Sequence, residues 1–319
     1  MKAFATENIR NLAVIGHGDA GKTQLVSSLL HVAGQNRWGK VDEGTTITDY
    51  DEDSITRKVS LNNNFAHAEY KDTKINFIDT PGYAAFVSHA RPALRVADCA
   101  LVVVDAVHGI EVQTEKTWQY ANEFLLPRFM VINKIDKEHA DFGHALETAT
   151  ASFARSIVPF TLPIGNEVNF KGVIDVVHQK AYEFDADGKA KGIAIPSEMT
   201  GLLNTTRERL IELVAESDDA LMEKYFEDGT LPEEDIIPNL ARAIAASKLC
   251  PVYAASATNL IGLQILLDHL VEFAPNPATH EMEYGFTDNE MTGDRIMRKY
   301  SNDEPFSAYV FRTIADPFA

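Results

Sequence analysis

A glycine-rich octapeptide near the amino terminus constrains the fold of this chain more than any other stretch. It runs from Gly16 to Thr23, reads GHGDAGKT and fits the pattern G-x-x-x-x-G-K-[ST] of loops that bind nucleotide phosphates. A short apolar run, residues 11–15, precedes it, and apolar residues at helical spacing follow it over residues 24–30. In that setting the backbone N–H groups and the helix amino terminus would bind phosphates, Lys22 would reach the β- and γ-phosphates, and the Thr23 hydroxyl would bind Mg²⁺. We therefore predict a phosphate site rather than an ordinary glycine turn.

A long polar segment follows over residues 34–64, with little periodicity and several charged residues in its second half. An ordered domain seldom carries so long a loop unless the loop has a function. Because the segment lies between a phosphate loop and the next strand, we interpret it as a switch that orders around the γ-phosphate. Disorder is the alternative interpretation.

A second short motif, DTPGY, comes directly after the predicted strand 74–78. Asp79, at the end of a buried strand beside a phosphate loop, can hold Mg²⁺ through water. Gly82 has no side chain, so its backbone N–H can approach the γ-phosphate closely. Either motif alone is weakly specific, whereas the two in this order predict a second switch.

A third motif, NKID, ends the predicted strand 129–132. The carboxylate of Asp136 can accept hydrogen bonds from the N1–H and 2-amino groups of guanine, which adenine cannot supply. Asn133 would bond the other edge of the purine, and the stem of Lys134 would lie along its ring. A buried carboxylate left unpaired is costly, so such a site rejects the wrong base. Backbone groups of a weaker motif, Ser256-Ala257, could contact the guanine carbonyl oxygen.

Short strands alternate with helical stretches, which predicts an α/β fold of the P-loop NTPase type, with a mostly parallel sheet and helices on both faces. This GTP-binding domain is predicted over residues 1–158 and 249–280, with an inserted α+β subdomain, rich in acidic residues, over 159–248. Residues 281–319 are predicted to be a linker and the first strand, 308–311, of an incomplete β-barrel. We expect the chain to stop before that second domain forms. The predicted elements of the insert are strands 160–165, 172–177 and 181–184 and helices 202–226 and 233–247.

The net charge of −18, from 29 basic and 47 acidic residues, argues against free DNA or RNA binding. No apolar run approaches the roughly 20 residues that span a bilayer, and the first ten residues lack the apolar core of a signal peptide. Cys99 and Cys250 form no metal-binding or redox spacing. We therefore expect a cytoplasmic monomer that contacts no membrane.

Together the motifs resemble those of the GTP-binding domain of translational GTPases, in the elongation factor G family and particularly its elongation factor G-like paralogues. The resemblance rests on GHGDAGKT, on EGTTITDY at residues 43–50, on DTPGY and on NKID. It implies GTP or GDP and Mg²⁺ as bound groups, and the ribosome, including its stalk protein, as partner. It also implies that Ser60 stands where a threonine usually binds Mg²⁺ and the γ-phosphate, although Thr56 is a nearby alternative.

Two residues depart from the family pattern. Tyr83 stands where the family usually has a histidine that orients the attacking water, and a phenol cannot act as an imidazole does. Gly18 replaces a bulky apolar residue of the phosphate loop.

The leading hypothesis is a ribosome-stimulated GTPase, and a GTP-dependent ribosome-binding switch with little hydrolysis is the alternative. A ribosomal-protection or release-factor role also stays open, whereas two switches and NKID together disfavour a P-loop kinase or ATPase.

These motifs define the predicted site. The predicted metal ligands are Thr23, Ser60 and Asp79, and the predicted catalytic residues are Lys22, Gly82 and Tyr83. The predicted nucleotide-binding residues are Gly16, His17, Gly18, Asp19, Ala20, Gly21, Lys22, Thr23, Ser60, Asp79, Thr80, Pro81, Gly82, Tyr83, Asn133, Lys134, Ile135, Asp136, Ser256 and Ala257.

Overall fold

Thirteen strands and nine α-helices are found in the computed structural model, which describes residues 2–35, 37–153, 156–279, 282–288, 291–301 and 303–313. The strands, numbered along the chain, are β1 (Ile9–Gly16), β2 (Asn64–Tyr70), β3 (Thr73–Asp79), β4 (Cys99–Asp105), β5 (Arg128–Asn133), β6 (Ser156–Pro159), β7 (Thr161–Ile164), β8 (Gly172–Asp175), β9 (Lys180–Phe184), β10 (Ala190–Ile193), β11 (Leu249–Ala254), β12 (Met282–Phe286) and β13 (Arg295–Lys299). The helices are α1 (Lys22–Val32), α2 (Glu52–Arg57), α3 (Ala90–Arg95), α4 (Val112–Glu123), α5 (Phe142–Ser152), α6 (Thr200–Ala215), α7 (Asp219–Asp228), α8 (Glu233–Ala245) and α9 (Leu263–Phe273).

The central sheet has seven strands in the order β2-β3-β1-β4-β5-β11-β6, and only the β2–β3 pair is antiparallel. Every residue of β4 and β5 is buried, as expected of parallel strands covered on both faces. On β1, Leu12 and Val14 join one core cluster and Ala13 and Ile15 the other. Helices α1 and α9 pack into the first cluster, and α3, α4 and α5 into the second. The predicted α/β fold with helices on both faces is confirmed.

The carboxyl ends of the parallel strands bring the sequence motifs to one edge of the sheet. The phosphate loop follows β1, DTPGY begins at the end of β3, NKID begins at the end of β5, and Ser256-Ala257 follows β11. These four strands run in the same direction, so their following loops converge. Ligands of open α/β sheets bind in this position.

Residues 159–248, called the insert below, contain a second sheet with antiparallel order β10-β9-β8-β7 and the helices α6, α7 and α8. The helix predicted over 202–226 is wrong as a single helix, because α6 ends at Ala215 and α7 begins at Asp219. The break has a local cause: the Asp218 side chain accepts hydrogen bonds from the backbone N–H groups of Ala220 and Leu221 and caps α7. Strand β10 was not predicted.

The helices of the insert share their hydrophobic core with the central sheet. Leu210 of α6 and Leu240 of α8 are fully buried in the same cluster as Phe129 of β5 and Leu266 of α9. A smaller cluster, which includes Ile174 of β8, lies beneath the second sheet. The insert is therefore packed as part of one body with the sheet.

The carboxyl-terminal stretch differs from its prediction. Residues 282–299, predicted as linker, contain the antiparallel hairpin β12–β13, whose Glu283 Oε2 lies 2.9 Å from Arg95 Nη2. Residues 308–311, predicted as a strand, are not in a strand, because they have no ladder partner within the described chain. Among the described residues, no helix is both long and apolar enough to cross a membrane.

An Asp–His–His cluster joins the second sheet to α9. Asp175 Oδ2 lies 2.8 Å from His178 Nδ1 and 3.2 Å from His269 Nε2. Burial alone would raise the pKa of Asp175, but the hydrogen bonds from both rings hold it well below its usual range. The bond to Asp175, helped by Glu272, raises the pKa of His178 to about 10.

Replacing His178 with Gln is expected to destabilise the fold at pH 6 by roughly 1 kcal/mol, after allowance for screening of this partly exposed ring. Because the folded pKa of about 10 lies above the ordinary value of 6.5, the stabilisation is full below pH 6.5. It is lost as the pH rises through about 10. Urea unfolding of both proteins between pH 6 and pH 10.5 measures this difference. A stability difference between the two proteins that stays constant with pH contradicts the prediction. The control is His144→Gln, which changes an exposed ring on α5.

Candidate nucleotide-binding site

At two positions of the phosphate loop, the backbone has a positive φ angle that only glycine readily adopts. Gly16 has φ +143° and Gly21 has φ +92°. A Cβ added at Gly16 would overlap the carbonyl oxygen of Val103, and one added at Gly21 would lie 2.5 Å from Asn133 Nδ2. The loop is therefore seated tightly between β4 and the NKID segment.

His17 and Ala20 fix the two sides of the loop. The backbone N–H of His17 donates to Thr114 Oγ1 at 3.2 Å, and its ring Nδ1 accepts from the N–H of Gln113 at 3.3 Å. Helix α4 thus holds the first half of the loop. The Ala20 methyl is buried in the core, and its carbonyl accepts from Asn133.

Lys22 lies inside the loop, where its ammonium donates to the carbonyl oxygens of Gly16 at 3.1 Å and His17 at 2.6 Å. Burial lowers its pKa to about 8, against the opposing attraction of Asp79, Asp19 and Asp49. Two acceptors are found for this ammonium among the described residues, so its third N–H can donate to a ligand oxygen. A buried cation in a glycine loop can neutralise phosphate charge without first losing a shell of water.

The predicted switch segment brings Ser60 to the start of α1. Ser60 Oγ lies 3.0 Å from Thr23 Oγ1 and donates to Asp49 Oδ2 at 3.0 Å. Thr56 lies exposed on α2, so the geometry favours Ser60 of the two candidates. The segment thus places one hydroxyl and one carboxylate, those of Ser60 and Asp49, beside the Thr23 hydroxyl of α1.

Asp79 lies beside this group with both carboxylate oxygens buried and without a hydrogen-bond partner among the described residues. Burial, with the nearby Asp49 charge, raises its pKa to about 7. The hydroxyls of Thr23 and Thr48 lie nearby and oppose this shift. An orphaned carboxylate with two hydroxyls and a second carboxylate forms an all-oxygen donor set, which fits the preference of Mg²⁺.

Sequence reasoning did not single out Asp49 and Thr48 as members of the site. Both are buried, and the Thr48 hydroxyl has no hydrogen-bond partner within the described chain. Asn64 Nδ2 also donates to Asp49 Oδ1 at 3.3 Å, and burial raises the pKa of Asp49. The available signal was the EGTTITDY stretch at residues 43–50, which contains both residues and carries part of the family resemblance.

Replacing Asp79 with Asn is expected to stabilise the magnesium-free fold by roughly 1 kcal/mol, because it removes a buried and unpaired charge. The same change is expected to reduce the effect of Mg²⁺ on GTP affinity by about tenfold, since one charged donor is lost. Urea unfolding in chelator and GTP titration with and without Mg²⁺ measure the two effects. Asp72→Asn, on the exposed β2–β3 turn, is the control. A destabilised Asp79→Asn variant contradicts the prediction.

The DTPGY segment leaves the sheet against the phosphate loop. Thr80 Oγ1 donates to the carbonyl of Val14 at 2.6 Å, so this side chain anchors the segment to β1. Pro81 is buried, and Gly82 lies directly against the loop. The Tyr83 hydroxyl donates to Asp19 Oδ2, which places the predicted second switch over the glycine-rich loop.

Asn133 joins the phosphate loop to the predicted base-recognition loops. Its Nδ2 donates to the carbonyl of Ala20 at 3.0 Å, and its Oδ1 accepts from the N–H of Ala257 at 3.0 Å. Lys134, at φ +66°, donates to Asp105 Oδ2 at 2.9 Å. Asp105 was not predicted as a partner, because the contact joins β4 to the end of β5.

Asp136 offers an unused acceptor beside these loops. Its Oδ1 is buried and has no hydrogen-bond partner in the described part of the chain. Its Oδ2 lies 3.4 Å from Thr258 Oγ1 and 3.5 Å from Lys137 Nζ. Such a carboxylate can accept from a ligand that carries two adjacent donors, as guanine does.

Of the remaining predicted residues, Ser256 and Ala257 lie in the turn after β11 and Ile135 lies in the core. Ser256 Oγ accepts from the N–H of Asn259 at 3.1 Å, which shapes the turn after β11. The carbonyl of Ala257 accepts from Ser28 Oγ of α1 at 2.7 Å. The side chain of Ile135 is buried in the core, so only its backbone belongs to the loop.

Known proteins are similar to this chain along most of its length. The family described as the elongation factor Tu GTP binding domain matches residues 7–276. Elongation factor G of Thermotoga neapolitana is 36% identical over 98% of this chain, and that of Thermotoga maritima is 35% identical over the same share. A crystal structure of a protein from Thermus thermophilus covers 85% of this chain with a TM-score of 0.79 and 34% identity.

The chain spans less than half of these proteins. It covers 45% of the length of either elongation factor G and 41% of the Thermus thermophilus chain. The similarity to the elongation factors nevertheless includes all four motif-bearing loops, because it extends over 315 residues.

Proposed function

Because this chain belongs to the family of the elongation factor Tu GTP binding domain, we propose that it binds GTP with Mg²⁺ and hydrolyses it to GDP and phosphate. The observation that carries the proposal is the position of Asn133, which bonds Ala20 of the phosphate loop and Ala257 beside the base-recognition loop. One side chain thus sets the spacing between the group that binds phosphate and the group that reads guanine.

In this proposal Asp136 accepts from the guanine edge, and Lys22 neutralises charge on the β- and γ-phosphates. Thr23, Ser60 and Asp79 would hold Mg²⁺, which supplies positive charge to the transferring phosphoryl group. The backbone N–H of Gly82 would donate to the γ-phosphate. These groups act by positioning and by stabilising charge.

We extend the proposal to the whole protein, as an elongation factor G-like translation factor. Its partner would be the ribosome, with the insert toward the stalk protein, and the protein would be a monomer in the cytoplasm. The names of the relatives and their cover of nearly the whole chain support this extension. Residues 1–158 and 249–280 would form the GTP-binding domain, and residues 281–319 would lead into a following β-barrel.

A second candidate function is a GTP-dependent ribosome-binding switch with little hydrolysis. One observation favours it: the Tyr83 hydroxyl donates to Asp19, and this bond, with some burial, raises the pKa of Tyr83 to about 12. The phenol therefore keeps its proton at neutral pH and cannot act as a general base.

Equilibrium titration with a fluorescent GTP analogue, in competition with GTP and ATP, tests the binding proposal. We expect GTP to compete and ATP to fail, and equal competition by ATP would refute the guanine assignment. Phosphate release with and without ribosomes, in protein that includes the following domains, separates the two candidates. Stimulation by ribosomes removes the second, and unchanged slow release removes the first.

A further inference from the structure

Tyr83 covers the phosphate loop at Gly18. A Cβ added at Gly18 would lie 3.1 Å from both Cδ2 and Cε2 of the Tyr83 ring, which is tighter than an ordinary carbon contact. The ring thus rests directly on the loop backbone, and a residue larger than glycine at position 18 would push it away. The two residues form a sterically matched pair.

The hydroxyl of Tyr83 makes a second contact with the same loop. It donates to Asp19 Oδ2 at 2.5 Å. Asp19 has φ +62°, a left-handed conformation that few residues other than glycine adopt. The hydrogen bond therefore joins the ring to a second residue of the loop, and Tyr83 is 38% exposed.

Gly82 adds a third contact beside the lysine of the site. A Cβ added there would overlap Lys22 Nζ and lie 2.6 Å from the His17 carbonyl oxygen and 2.7 Å from the Gly18 nitrogen. No side chain fits between Gly82 and the loop. A γ-phosphate held by both Lys22 and the Gly82 N–H, as proposed above, would have to separate these two closely packed groups, and Tyr83 is the next residue in the chain.

We propose that Gly18, Asp19 and Tyr83 form a cover on the phosphate loop that disfavours the nucleoside triphosphate relative to the diphosphate. The inference rests on the proposed GTP binding and assigns Tyr83 as a specificity-determining residue of that site. A diphosphate leaves the cover closed, whereas a third phosphate lifts Gly82 and breaks the bond between Tyr83 and Asp19. A ligand shifts such an equilibrium only through its different affinity for the two states.

The test compares GDP with a non-hydrolysable GTP analogue, each titrated with Mg²⁺ onto the whole chain by calorimetry. Tyr83→Phe keeps the ring and removes the hydrogen bond to Asp19. We expect it to tighten triphosphate binding by about fivefold and to change diphosphate binding by less than about twofold. Tyr284→Phe, at a half-exposed ring on β12, is the matched control.

A double-mutant cycle tests the steric pair. Gly18→Ala is expected to raise the affinity for the triphosphate relative to that for the diphosphate, as Tyr83→Phe does, because its methyl group displaces the ring. In a Tyr83→Ala background the same change is expected to have no further effect. Equal effects on both nucleotides, or weaker triphosphate binding in Tyr83→Phe, would overturn the inference. Failure of the unaltered chain to bind either guanine nucleotide would instead refute the proposed function.

Discussion

Replacing Asp136 with Asn is expected to weaken GTP binding by about 10³-fold, because two hydrogen bonds to a charged acceptor are together worth roughly 4 kcal/mol. The orphaned Oδ1 is the acceptor that guanine would satisfy. Xanthine carries a carbonyl where guanine has its 2-amino group, so the amide of the variant can donate to it. We therefore expect xanthosine triphosphate to bind the variant more tightly than GTP does.

Competition titrations with GTP, ATP and xanthosine triphosphate measure this exchange of preference. Asp141→Asn is the control, because Asp141 caps α5 through a hydrogen bond from His144 and an asparagine caps equally well. Unchanged GTP affinity in Asp136→Asn would mean that the base binds elsewhere. An equal loss of affinity for all three nucleotides, with a lowered melting temperature, would instead point to a damaged fold.

Replacing Lys22 with Met is expected to weaken GTP and GDP binding alike, by about 10³-fold, through loss of charge-assisted hydrogen bonds to phosphate. Lys22 is 7% exposed, and its burial lowers its pKa to about 8, so the charged form is already desolvated. Methionine keeps nearly the length and volume of the side chain. We therefore expect a free energy of unfolding within about 1 kcal/mol of that of the unaltered chain. The loss of the two hydrogen bonds to the carbonyls of Gly16 and His17 is offset by the removal of a buried charge.

Calorimetric titration and thermal unfolding in parallel check both parts of this result. Lys171→Met, at an exposed side chain before β8, is the control. Retained nucleotide affinity in Lys22→Met would remove the phosphate loop from the proposed site. A loss confined to GTP would mean that the lysine serves only the third phosphate.

The short motifs were predictable because their geometry is local. Gly16 and Gly21 occupy backbone conformations that select glycine, and the apolar runs around them determine strand and helix. The contacts that complete the site were not predictable in this way. Asp49 meets Ser60 across 11 residues, and Asn133 reaches Ala257 across 124 residues, so only the folded chain brings them together.

In the fold too, elements with a local sequence signal were predictable and elements that depend on distant contacts were not. Strands β1, β4 and β5 each contain a continuous apolar run and were predicted within one or two residues. The edge strand β2 has an alternating, partly exposed pattern that is harder to recognise. The hairpin β12–β13 lies in a polar stretch, where cross-strand pairing and the contact of Glu283 with Arg95 replace a hydrophobic signal.

The core that the insert shares with the central sheet limits how the protein can be rearranged. Excising residues 159–248 would expose Phe129 and Leu266 to water, and the excised piece would expose Leu210 and Leu240. Neither fragment is expected to be a transplantable module. A displacement of α7 or α8 is accordingly expected to be transmitted to the central sheet, because Leu221 and Leu240 pack in the same core as its strands.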